Sequence, residues 1–93
     1  MIKNIKHKGL RNFAVKGDIS GIPQQFERRL KMILAALSTA TSIQDMMEIP
    51  ALRCHPLKGN RAGEYSLEVN GNWRVIFKVD QPNVVDVDLE DYH

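Results

Sequence analysis

The chain has 93 residues, 43% of them hydrophobic and 26% charged, with a single cysteine and a formal net charge of +2. That size fits one domain over residues 1–93 and leaves no room for a second, and the lone Cys54 excludes an intramolecular disulfide framework. The opening "MIKNIKHKGL" lacks the apolar stretch of a secretion signal, and no run approaches the roughly 20 apolar residues of a membrane span, so the cytoplasm is the expected compartment and no membrane partner is expected.

"MIKNIKHKG" sets Ile2 and Ile5 among polar residues and predicts a short strand that stops at Gly9, with His7 an exposed strand residue. "LRNFAVKG" then reads as a brief helix with Leu10, Phe13 and Ala14 on one face and Gly17 as its stop. In "SGIPQQFERRLKMILAALSTA" the residues Phe26, Leu30, Ile33, Leu34 and Leu37 recur at helical spacing, and Pro23 suits the first turn. "SIQDMM" adds a helical turn with Ser42 placed to cap it, before Pro50. From residue 51 the pattern changes. "LRCHPL" reads as extended, because the residue before a proline is pushed out of the helical region. "EYSLEV" and "WRVIFKV" flank "NGN", a strong hairpin signal, and Tyr65, Leu67 and Val69 share a face with Trp73, Val75 and Phe77. After a turn at "DQPN", the chain alternates Val85, Val87 and Leu89 with Asp86, Asp88 and Glu90 in a last, half-buried strand. The expected fold is α+β: two N-terminal helices packed on a small, largely antiparallel sheet in the order β-α-α-β-β-β-β.

Charge is unevenly spread along these elements. All 13 Lys and Arg precede Asp80, and six of the 11 acids do, so residues 1–79 carry a net +7. A basic body gathers polyanions, RNA and DNA first among them, although solvated, scattered lysines give the same count.

With the apolar positions set aside, His55, Lys58, Asn72, Arg74, Asp91, Tyr92 and His93 remain, each at or near a strand end or turn. Taken alone, Lys58 in "HPLKG" is an ordinary turn lysine and Arg74 an outward-facing arginine on an open sheet face, opposite to Trp73 and Val75. Taken together, they match the needs of RNA cleavage by side chains: a histidine to carry protons at neutral pH, cations for the pentacoordinate phosphate, and a tyrosine to stack on an unpaired base. Other chemistries fit less well. Cys54 and His55 are strand neighbours that point to opposite faces, so no Cys-His couple is expected and Cys54 reads as a buried thiol. Cys54, His55, Asp91 and His93 have no recognised metal-ligand spacing, and neither a glycine-rich phosphate loop nor a Gly-x-Ser-x-Gly elbow is present, so no metal or cofactor is expected.

Four stretches in order, "MIKNIKHKGL", "HPLKG" followed by Arg61, "NWRVIF" and the ending "EDYH", make the chain resemble the HigB toxins, a branch of the RelE-like superfamily. The resemblance spans nearly the whole chain. It implies the toxin of a type II toxin-antitoxin system, an endoribonuclease that cuts messenger RNA in the decoding site of a 70S ribosome. It also implies a HigA-like helix-turn-helix antitoxin as partner, with operator DNA met only through that antitoxin. Carried over residue by residue, it puts His55, Lys58, Arg74, Asp91, Tyr92 and His93 in the active site, with Asn72 beside them. Lys58 and Arg74 then serve the scissile phosphate, Tyr92 stacks on a nucleotide, and Asp91 and His93 orient and transfer protons. His55 contacts RNA or shares the proton work, and the assignment of acid and base stays open. Arg61, Lys3, Lys6, Lys8, Arg11, Arg28 and Arg29 would grip ribosomal RNA or the antitoxin. The reading from a different class is a non-catalytic nucleic-acid-binding module that uses the same cations for grip and the same tyrosine for stacking.

Overall fold

The computed structural model describes residues 1–40 and 42–91. Three helices, α1 (Lys8–Lys16), α2 (Glu27–Thr39) and α3 (Ile43–Met47), precede four strands, β1 (His55–Pro56), β2 (Glu64–Glu68), β3 (Trp73–Asp80) and β4 (Asn83–Asp91). Each strand pairs antiparallel with the next in a sheet of order β1-β2-β3-β4. The helical stripe Leu30, Ile33, Leu34 and Leu37 and the α1 residues Leu10 and Phe13 join Leu67, Val75, Phe77, Val87 and Leu89 in one apolar cluster. That leaves the opposite sheet face to polar side chains. Among the described residues no helix is long and apolar enough to cross a membrane.

The amino-terminal segment is extended, as its sequence predicts, but it joins the sheet through only two parallel bridges, Ile2 with Val84 and Ile5 with Val87. The interruption has a local cause. Asp86 takes a left-handed backbone, φ 52°, and the β3–β4 register shifts between Ile76 and Lys78, so two residues of β4 stand opposite one of β3. Asn4 fills the gap: its carboxamide donates to Asp86 Oδ1 at 2.9 Å and accepts from the Asp86 backbone N–H at 2.9 Å. The extra residue also shifts the phase of the strand. Val84, rather than the expected Val85, joins Val87 and Leu89 in the core.

Three further expectations change for reasons of packing. His7 is no strand residue: it caps α1, its Nδ1 accepting the Leu10 N–H at 3.0 Å. The strand expected over "LRCHPL" shrinks to His55–Pro56, because Pro50–Leu52 coil into a 3₁₀ turn that ends at Arg53 in a left-handed conformation, φ 49°. Gly9 does not stop the first element but lies inside α1, against Gly21. The remaining signals hold: Gly17 closes α1 at φ 72°, Ser42 Oγ caps α3 by accepting the Asp45 N–H at 3.1 Å, and Tyr65 and Leu67 pair with Phe77 and Val75. The hairpin turn is fastened by Asn70, whose side-chain oxygen accepts the N–H groups of Asn72 and Trp73 at 2.8 and 2.9 Å.

The Gly9–Gly21 contact yields a prediction of unusual sign. Ala normally stabilises a helix relative to Gly by about 1 kcal/mol. Here a Cβ at Gly9 would run into the Gly21 carbonyl oxygen, which is backbone and cannot swing away. Gly9→Ala should therefore destabilise by about 1–3 kcal/mol, seen as a melting temperature several degrees lower, while Gly71→Ala, facing open space, should melt within about 0.5 kcal/mol of wild type.

Candidate active site

Side chains alternate across a strand, so the face turned away from the helices is fixed by register. Its rows are His55 beside Ser66, then Ser66 beside Ile76 and Ile76 beside Asp88. One row nearer the hairpin turn, Glu68 stands beside Arg74 and Arg74 beside Glu90. His55, Ser66, Glu68, Asn70, Gly71, Trp73 and Arg74 line an open cleft of about 200 Å³. Ser66 in its lining is 3% exposed, and its β3 neighbour Ile76 is 1% exposed. The Trp73 ring at one end is supported from below by Phe26, centroids 5.9 Å apart.

Positive charge on this face is held in place rather than scattered. Arg61, in the turn after β1, donates through Nε to Glu64 Oε1 at 2.6 Å and through Nη1 and Nη2 to the two oxygens of Glu90 at 2.8 and 2.7 Å. Glu64 and Glu90 belong to non-adjacent strands, so the guanidinium bridges over β3. Its hydrogen bonds, first to Glu90 and then to Glu64, hold the Arg61 charge more firmly than usual. The same contact with Arg61, ahead of the opposing cost of burial and the added fields of Arg74 and Lys6, holds the Glu90 carboxyl below its ordinary value. Arg53 Nε meets Glu68 Oε2 at 3.3 Å, and Arg29 donates to the Glu68 carbonyl at 2.9 Å.

The structure thus brings two of the sequence candidates, His55 and Arg74, into one cleft, with Asn72 exposed in the loop beside it. Lys58 is exposed where the chain leaves β1 and opens the turn that Arg61 fastens to β4. Asp91 lies opposite Trp73 at the end of β4, one residue beyond the partner of Arg74 and hence on the other face of the same sheet end. Tyr92 and His93 lie outside the described residues. The basic residues expected to grip RNA or the antitoxin separate into several settings. Lys3 and Arg11 line a groove between the amino-terminal segment and the helices, Lys6 is close enough to Glu90 for its field to be felt, Lys8 opens α1, and Arg28 is exposed on α2. Arg29 and Arg61 have the internal partners already given. Sequence reasoning passed over Glu68, Glu90 and Ser66; the strict alternation of "VDVDLED" was the signal that put Glu90 on this face. Cys54 is buried on the helix side, where burial pushes its thiol up to about 11.

Glu90 carries a pH prediction. Its carboxyl is depressed in the folded state, so the stability it contributes is present above its unfolded value of about 4.5 and is lost as pH falls through the folded value. Glu90→Gln should cost about 1 kcal/mol at pH 7 after allowance for solvent screening, and melting curves of variant and wild type should converge as pH falls below the ordinary glutamate range.

The family model of the RelE-like toxin of type II toxin-antitoxin system HigB matches residues 3–93. The chain is 41% identical over 93 residues to the Endoribonuclease HigB of Proteus vulgaris, all of both chains being covered. Among solved structures, the YoeB-YefM complex from Staphylococcus aureus superposes with a TM-score of 0.64 at 15% identity, over 100% of this chain and 98% of that one. YafQ from Escherichia coli does so at 0.58 and 19% identity, over 96% and 92%. These two show the fold, and the helices on a four-stranded antiparallel sheet are the same α+β architecture. With a match across almost its full length, the chain belongs to the HigB-like, RelE-like toxins of type II toxin-antitoxin systems.

Proposed function

We infer that the protein, a single toxin domain over residues 1–93, cuts messenger RNA in the decoding site of a translating 70S ribosome, using side chains alone. As a HigB-like toxin 41% identical along its whole length to a named endoribonuclease, it is an endoribonuclease. The observation that carries the finer reading is the cleft that joins His55 to Arg74. In such a cleft a guanidinium can take two phosphate oxygens at once.

The chemistry proposed is attack of the 2′-oxygen on the adjacent phosphorus. The 2′-hydroxyl gives up its proton to a base, the new O2′–P bond forms as the P–O5′ bond breaks, and the departing 5′-oxygen takes a proton. The products are a 2′,3′-cyclic phosphate and a 5′-hydroxyl. Arg74 and Lys58 stabilise the charge that gathers on the phosphate oxygens. His55, Asp91 and His93 share orientation and proton transfer, and Tyr92 stacks on a nucleotide. The ribosome supplies what a small open cleft lacks, a fixed path for the strand. The partner is a HigA-like helix-turn-helix antitoxin that neutralises the toxin and alone touches operator DNA, and both work in the cytoplasm where ribosomes are.

Mapping of 5′ ends on messenger RNA after induction tests the reading against simple RNA binding. Cuts should fall within translated frames, survive metal chelation and leave cyclic phosphate or its opened form upstream; intact transcripts, or equal cutting of naked RNA, would sink it. Arg74→Ala and Lys58→Ala should each lower cleavage by roughly a hundredfold or more, the scale of losing one charge-stabilising donor, with little change in melting. A tag fused after His93 should abolish toxicity while melting and antitoxin capture stay near wild type, because the core residues of β4 are untouched.

A further inference from the structure

Beyond β4 the sheet ends in the amino-terminal segment, and that rim has a definite hydrogen-bond phase. Lys3 and Lys6 donate to the Val84 and Val87 carbonyls at 2.8 and 2.6 Å, while Met1 and Asn4 accept from the Val84 and Val87 N–H groups at 2.8 and 3.2 Å. Backbone groups alternate in direction along an extended chain, so those of the bridge residues Ile2 and Ile5 face away from β4, toward the edge of the sheet. Arg11 reaches the same edge and donates through Nη1 to the Ile5 carbonyl at 3.3 Å. An edge of this kind is a template for one more strand.

Beside it lies room for that strand's side chains. Ile2, Ile5, Ala14 and Val15 line a groove of about 300 Å³ between the amino-terminal segment and α1, with Lys3 and Arg11 at its sides. A second groove of about 320 Å³ continues it between α1 and α2, sharing Ile2, Ala14 and Ser38 and adding Leu34, Ala35 and Lys31. Val15 is 74% exposed and Met1 73%, so apolar surface at this rim is left to water. Among the described residues, the charged groups lining the two grooves are Lys3, Arg11 and Lys31, all of them cations. Charge and surface together choose the occupant. A second copy of the chain would bring the same cations against themselves, and lysines on an edge strand oppose such like-with-like pairing. RNA would answer the cations but leave the apolar lining unmatched. An extended peptide with carboxylates beside apolar side chains answers both.

We propose that the antitoxin docks here, through an extended acidic segment that pairs with the Ile2 and Ile5 backbone as an added strand and lays apolar side chains into the groove against α1 and α2. The inference rests on the antitoxin partner of the proposed function and gives that partner its surface.

The test uses the full-length toxin and the purified antitoxin. By calorimetry, Val15→Asp should bind the antitoxin on the order of tenfold or more weaker than wild type, because a carboxylate in the groove repels those of the partner. Met47→Asp, at an exposed apolar residue outside both grooves, should bind within about twofold of wild type. Alone, Val15→Asp should melt within a few degrees of wild type and cut messenger RNA on 70S ribosomes at the wild-type rate. Hydrogen exchange supplies the second measurement. Saturating antitoxin should slow the Ile2 and Ile5 amides by on the order of tenfold or more, and the Lys3 and Lys6 amides, already bonded to β4, by less. Val15→Asp with wild-type affinity overturns the proposal, as does an antitoxin that binds the wild type without slowing Ile2 and Ile5. Slowing that grows with toxin concentration alone gives the edge to a second copy, and slowing by single-stranded RNA in place of the antitoxin gives it to RNA; either overturns the proposal. If Val15→Asp fails to fold, exchange in the wild type decides. An antitoxin that does not bind the wild type at all brings down the partner reading with the docking site, whereas a wild type that cuts no messenger RNA brings down the functional reading while affinity and exchange still decide the docking site.

Discussion

The fold turns on β4, which is paired along both sides. On one side it continues the antiparallel ladder from β3, and on the other it takes the amino-terminal segment through backbone bonds at Lys3, Lys6, Val84 and Val87. The two partners impose different demands on one strand, and the left-handed Asp86 reconciles them. Its bulge is stabilised by the paired hydrogen bonds with Asn4, so a side chain 82 positions away completes what the ladder omits. The consequence reaches the cleft. Beyond the bulge the phase of β4 puts Leu89 in the core and Asp88 and Glu90 on the polar face, and Glu90 arrives opposite Arg74. Slipping by one residue would exchange these faces and bury the carboxylates.

Large parts of this were legible in the residues. The helical stripe from Phe26 to Leu37, the Ser42 cap and the Tyr65–Phe77 and Leu67–Val75 pairings follow from period and turn chemistry, which act over a few residues. What escaped was set by contacts distant in the chain. The reduction of the first strand to two bridges depends on Asp86, and the place of Gly9 inside α1 depends on the approach of Gly21. His7 precedes a helix whose start at Lys8 was masked by that same glycine, so its capping role was hidden. Of the candidate site, Arg74 and His55 could be picked by residue type, but the carboxylates that flank Arg74 could not. Glu68 and Glu90 look like the solvated half of an alternating strand until register puts them on either side of Arg74.

That register frames a problem any enzyme acting on a polyanion must solve. The polar face carries Glu64, Glu68, Asp88 and Glu90 beside Arg74, Lys78 and His55, so without the two arginines from the β1 region it would repel phosphate. Arg53 and Arg61 offset Glu68 and Glu90 in pairs and leave the face close to neutral. Attraction then has to come from elsewhere, from Lys3, Lys8, Lys16, Arg28 and Lys31 on the amino-terminal segment and the helices, whose fields reach only about 8 Å at physiological salt. In the proposed function those charges would draw the protein toward nucleic acid without guiding one strand into the cleft. A near-neutral cleft gains little from naked RNA by charge alone, and the phosphate grip proposed for Arg74 calls for a strand held in line by another surface. Under the proposed function that surface is the ribosome, and the near neutrality of the face around Arg74 is a physical reason why cleavage as proposed would require it.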